Sequence, residues 1–140
     1  MPKKWTHTEA FSHFGTTPRN VQWSWSARSD DGQTVVVTFW QDLFSRKDGR
    51  LLYERSAPQQ HLRRRPGFNE LMENLAWARD HCGGRFKVIV AKAKDVKADP
   101  RSIEECFPTK MTMKLVEFDA ATGAFVAEAE GSIGGQKTKQ

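Results

Sequence analysis

Residues 21–28, Val-Gln-Trp-Ser-Trp-Ser-Ala-Arg, alternate strictly between apolar and polar. Side chains alternate across a strand, so Val21, Trp23, Trp25 and Ala27 share one face and Gln22, Ser24, Ser26 and Arg28 the other. Asp30-Asp31-Gly32 follows, and then the β-prone run Thr34 to Trp40. Asp-Gly between two such runs predicts a hairpin, because glycine tolerates the positive φ of the turn. Two indoles on one strand and Trp40 on its partner build either a heavy core or an aromatic-walled pocket. A buried Trp removes roughly 150–250 Å² from water, and its N–H then needs a partner. The alternation alone leaves both readings open, with Trp40 at its strand's end, where pocket rims form.

The rest of the chain reads as one domain, residues 1–130, with 131–140 composed like a disordered tail. Residues 1–6 read as a frayed basic start. Thr8 to Phe14 predicts a short helix that stops at Gly15. Asp48-Gly49 marks a turn before a strand at Leu51-Leu52-Tyr53. Residues 58–67 form a basic loop bounded by prolines. From Phe68 to His81 the positions 68, 71, 72, 75, 78 and 82 carry Phe, Leu, Met, Leu, Ala and Cys, the stripe of an amphipathic helix. Arg85 to Ala91 is a buried strand, 92–100 a charged connection and 101–106 one helical turn. Met111 to Phe118 and Ala124 to Ala127 close the chain as a hairpin. The expected class is α+β: a small, mostly antiparallel curved sheet or β-barrel with one long and one short N-terminal helix.

Several activities lack their residues. Neither a G-x-x-x-x-G-K-[ST] loop nor a G-x-G-x-x-G is present, and no G-x-S-x-G marks a hydrolase nucleophile. His7, His13, His61 and His81 are scattered and Cys82 stands far from Cys106, so no metal-ligand spacing appears. The strand around Lys87 has lysines but no acid before Asp95, unlike a metal-dependent nuclease. Glu104 and Glu105 beside Cys106 raise a thiol pKa, so Cys106 reads as core. No catalytic residue, cofactor or metal is assigned, and a non-enzymatic role is favoured. With no export signal and no apolar run near the roughly 20 residues of a membrane span, a soluble cytoplasmic protein with free thiols is expected.

What remains is aromatic surface beside positive charge. Lys and Arg total 22 against 17 Asp and Glu, a net charge of +5 that favours a polyanionic partner. Arg63, Arg64 and Arg65 form the densest cluster, with Lys92 and Lys94 in a second stretch. Both are candidate phosphate contacts, and both read equally as solvated surface. Asn20 and Ser24 are candidate polar readers of a base held by Trp23, Trp25 and Trp40. Trp77 lies about 180° from Phe68 on the helical wheel, among Glu70, Glu73 and His81. It is either covered by a loop or the N-terminal segment, or exposed as an interface for a protein partner or a homodimer.

A Trp-bearing early strand, a mid-chain helix, Phe86-Lys87-Val88-Ile89-Val90, and Phe107-Pro108 leading into Met111-Thr112-Met113-Lys114-Leu115 together resemble PUA-like β-barrel domains. The EVE and ASCH branches are nearest. The resemblance covers Asn20 to Ala127 as an order of elements rather than through a shared motif. It implies a small barrel that binds RNA, or DNA carrying a modified or flipped base, in an aromatic pocket. Nucleic-acid binding is therefore the leading expectation. Protein–protein interaction and a small-molecule-binding barrel are the alternatives.

Overall fold

A computed structural model describes residues 5–20, 24–56, 66–98, 102–119 and 121–130. Its elements run α1 (His7–His13), β1 (Ser26–Arg28), β2 (Val35–Trp40), a 3-10 turn (Gln41–Leu43), β3 (Phe44–Lys47), β4 (Arg50–Arg55), α2 (Pro66–His81), β5 (Arg85–Ala93), β6 (Ile103–Asp119) and β7 (Ala124–Glu130). The strands form one mixed sheet in the order β1-β2-β5-β6-β7-β4-β3. Among the described strands only β2 and β5 pair in parallel. The fold is α+β with a curled, open sheet. The curl is strong: Phe39 of β2 stacks on Tyr53 of β4 at 3.7 Å between centroids, although three strands stand between them in the sheet.

Local chemistry explains most elements. Gly32 takes φ 73° in the β1–β2 turn, where its N–H bonds Ser29 O. Asp48 and Gly49 both have positive φ, the signature of a two-residue I′ turn, and this turn joins β4 to the additional strand β3. Thr6 and Glu9 cap α1 reciprocally. Thr6 and Trp5 are thus ordered rather than frayed, with Trp5 packed edge-on against His13. Pro66 opens α2 two residues before the expected start, a position where its missing N–H costs nothing. Gly83 and Gly84 close it, the Gly84 N–H reaching back to Ala78 O.

Residues 103–106, expected as a helical turn, begin β6 instead. Ile103 pairs with Ala93 and Cys106 with Ala91, and these cross-strand bonds outweigh the local helical preference. β6 also carries Pro108, which has no N–H to give the ladder. The register slips there, and Thr109 Oγ1 donates to Val88 O across the bulge.

Two cores flank the sheet. On the concave side, Val35, Val37, Phe39, Tyr53, Phe86, Val88, Met113 and Phe125 pack under Leu75 and Ala78 of α2. On the convex side, Ala27, Val36, Ile89, Ala91 and Cys106 receive Ala10 and Phe11 of α1. No helix among the described residues is long and apolar enough to cross a membrane.

Candidate functional site

Alternation on β1 and β2 decides what the convex side displays. Val35, Val37 and Phe39 point into the concave core, leaving Val36, Thr38 and Trp40 on the other face. Trp25 lies one residue before β1, and its carbonyl accepts from Thr38 N at 2.8 Å, so it sits beside Trp40. The two half-buried indoles are 5.1 Å apart and inclined at 48°.

α1 supports them from one side. His7 contacts Trp25 at 5.7 Å and Phe11 at 4.7 Å, and its Nε2 lies 2.7 Å from Thr38 Oγ1. Burial lowers the His7 pKa to about 4, so the imidazole is neutral at pH 7. On the strand side, the Trp40 backbone N–H donates to the Tyr53 hydroxyl at 3.2 Å. Burial raises the Tyr53 pKa, while that N–H and Arg55 act in the opposite direction. The result is an aromatic surface with a neutral histidine packed against Trp25. Thr38 is only 5% exposed, so its pairing with His7 presents no nucleophile to a substrate.

The expected site residues divide clearly. Trp25 and Trp40 come together. Trp23 and Arg63, Arg64 and Arg65 lie outside the described residues. Ser24 is 3% exposed and its Oγ accepts from Asn20 N, while Ser24 N donates to Asn20 O. That hydroxyl is tied to Asn20 and is not presented to a ligand. Lys92 stands 3.8 Å from Glu104 and 3.9 Å from Glu105, a poor setting for a phosphate contact. Lys94 is exposed just beyond the end of β5.

Trp77 is held within the chain. Its Nε1 donates to Gly32 O at 2.7 Å, the Arg28 guanidinium lies 4.2 Å over its ring, and His81 packs at 3.9 Å. A Cβ at Gly32 would sit 2.8 Å from the indole, so the turn must be glycine to lie against it. Glu70, expected on the wet face, is 4% exposed. Arg19 is 3.5 Å from its Oε2, and Oε1 has no hydrogen-bond partner. Asn74, one turn further, donates to Ser26 Oγ.

His7 and Thr38 are members of the convex site that sequence reasoning passed over. One signal existed: His7 and Phe11 stand at i and i+4, on one face of α1. Among the described residues no group of three or more His, Cys, Asp or Glu could hold a metal ion. Burial raises the pKa of both Cys82 and Cys106, away from thiolate reactivity.

Comparison with protein-family models, with curated proteins and with solved structures finds no match in any of the three.

Proposed function

We propose that the protein binds single-stranded nucleic acid, RNA or DNA, by stacking bases on the convex-face indoles of Trp25 and Trp40. The observation that carries this reading is the pair itself. Two large rings sit side by side, half-buried, with His7 packed against Trp25. Such a surface is pre-organised, and stacking on an aromatic ring contributes about 1–3 kcal/mol per base without demanding a particular sequence.

Charge supports the same reading. The chain carries +5. Trp40 is registered against Ala91 of β5, and the exposed Lys94 follows three residues later, about 10 Å along the strand direction. The two indoles touch each other, so no base fits between them, and the geometry favours a surface platform over a slot for a flipped or modified base. The reading rests on this geometry and draws nothing from the likeness to PUA-like domains.

Fluorescence anisotropy with labelled single-stranded oligonucleotides at two salt concentrations tests it. The expected result is binding that weakens steeply with salt and quenches Trp emission. Trp25→Ala and Trp40→Ala should each weaken it by about 1–3 kcal/mol. Arg63, Arg64 and Arg65 changed together to Ala should weaken it further and flatten the salt slope. Absence of binding at low salt, or undiminished binding by the doubly substituted Trp25→Ala, Trp40→Ala protein, would overturn the proposal.

A further inference from the structure

β6 is longer than either of its neighbours. β5 pairs with it from Ile103 to Lys114, whereas β7 joins it only from Thr112 to Asp119. Among the described residues, 103–111 therefore keep one edge with no strand beside it. Such an edge presents its N–H and C=O groups to any extended chain that fits.

Hydrogen bonds show which backbone groups face that edge. Lys94 N donates to Ser102 O, and Val88 O accepts from Thr109 Oγ1, so Val88, Val90, Lys92 and Lys94 turn toward β6. Val90 stands opposite Phe107 and Lys92 opposite Glu105. By alternation Phe107 and Glu105 point their backbone at β5, and Cys106 and Pro108 point theirs at the open edge. Pro108 has no N–H to offer there, the setting in which a sheet tolerates proline.

Charge along this edge is arranged about one point. Lys92 Nζ is 3.8 Å from Glu104 and 3.9 Å from Glu105, one cation between two carboxylates, so a negative charge remains. Lys110 is exposed and, among the described residues, has no carboxylate within salt-bridge distance. Phe107 lies midway, three residues from Glu104 and three from Lys110. It is half-buried and packed against the concave core.

We propose that this edge pairs antiparallel with the same edge of a second copy of this chain, about a two-fold axis at Phe107. That register sets Glu104 against Lys110 of the second copy at two symmetric places, Glu105 against Thr109, and the Cys106 N–H against Pro108 O. Opposite charges facing each other across strands stabilise a pair, and like charges oppose it. Neighbouring registers lose this match. An axis at Glu105 sets two carboxylates face to face, and an axis at Cys106 sets Glu104 against Pro108. An axis at Pro108 sets two prolines opposite each other, with no N–H at the centre. The edge lies two strands from Trp40 and shares no side chain with the indole pair, so the two proposals stand or fall separately.

Sedimentation of the intact protein from about 5 to 500 µM tests the pairing; a short strand edge buries little surface, so a reversible dimer with a Kd of about 100 µM or tighter is expected. Glu104→Lys and Lys110→Glu each set like charges opposite one another twice, and each should weaken the dimer about tenfold. The double variant Glu104→Lys, Lys110→Glu restores opposite charges and should recover it. Both side chains are exposed, so the fold should survive each change, and the rescue separates this pairing from a general effect of net charge. A monomer at every concentration, a dimer indifferent to both single reversals, or a double variant that fails to recover would overturn the proposal. Dimerisation that appears only after removal of residues 131–140 would give the edge to the chain's own C-terminal segment and would overturn it as well.

Discussion

The two sides of the sheet are built from different materials. The concave side is an aromatic cluster in which Phe39 contacts Tyr53, Phe86, Phe125 and Phe44, all beneath a sixteen-residue helix. The convex side joins mostly small residues to a seven-residue helix, with Phe11 as its one fully buried ring among the described residues. Deep aromatic burial on one side supplies the bulk of the folding energy. Small neighbours on the other leave Trp25 and Trp40 incompletely covered. The difference separates a face that holds the fold together from a face with aromatic surface to spare.

The strongest way to break this division is to truncate one ring on each side. Phe39→Ala should cost about 3–5 kcal/mol in urea denaturation, the usual range for a large buried aromatic. Phe11→Ala should cost less, because a short helix can undock locally and caps the loss below global unfolding. Equal losses would show that both faces share one cooperative core.

Acid sharpens the contrast from the convex side. The His7 pKa is about 4 in the folded protein against 6.5 for the free side chain. Between these values the unfolded chain binds the proton more readily. Stability is therefore complete above pH 6.5, declines as pH falls toward 4, and declines no further through this group below that. The full loss is up to about 3 kcal/mol. Thermal melts from pH 7 to 4 should show it, and His7→Gln should flatten the curve in that window.

Gly32→Ala probes the seam between the β1–β2 turn and Trp77. Its φ of 73° and the 2.8 Å approach of a Cβ to the indole both oppose the change, for an expected loss of about 1–3 kcal/mol with a shift in Trp emission. Smallest of all is Arg50→Gln. It removes the exposed bond from Arg50 Nε to Glu128 Oε1 at 2.9 Å, and the melting temperature should barely move, because an exposed pair is screened by solvent.

Legibility followed the kind of signal each element carried. The Trp hairpin, the Asp48-Gly49 turn and the apolar stripe of α2 were readable, because alternation, turn glycines and helical periodicity are local and apolar. The second stripe of α2 was not. Glu70, Asn74, Trp77 and His81 follow i, i+4, i+7 and i+11, and three of them meet Arg19, Ser26 and Gly32. That stripe is mostly polar, so hydrophobic periodicity assigns it to water. The serine face of β1 was hidden for the same reason: it reads as solvated and lies beneath α2. At the convex site Trp25 and Trp40 were readable as a pair across a hairpin. His7 was not, because it is joined to Thr38 across thirty-one residues.

By itself the sequence determined the β1–β2 hairpin, the Asp48-Gly49 turn, the apolar stripe of α2 and the glycines that end it, since these depend on neighbours within a few residues. Tertiary structure alone decided that β1 lies between two helices, that residues 103–106 extend as strand rather than turn as helix, and that Lys92 faces two carboxylates. Each of these outcomes is set by partners far along the chain, whose hydrogen bonds and charges exist only once the sheet has curled.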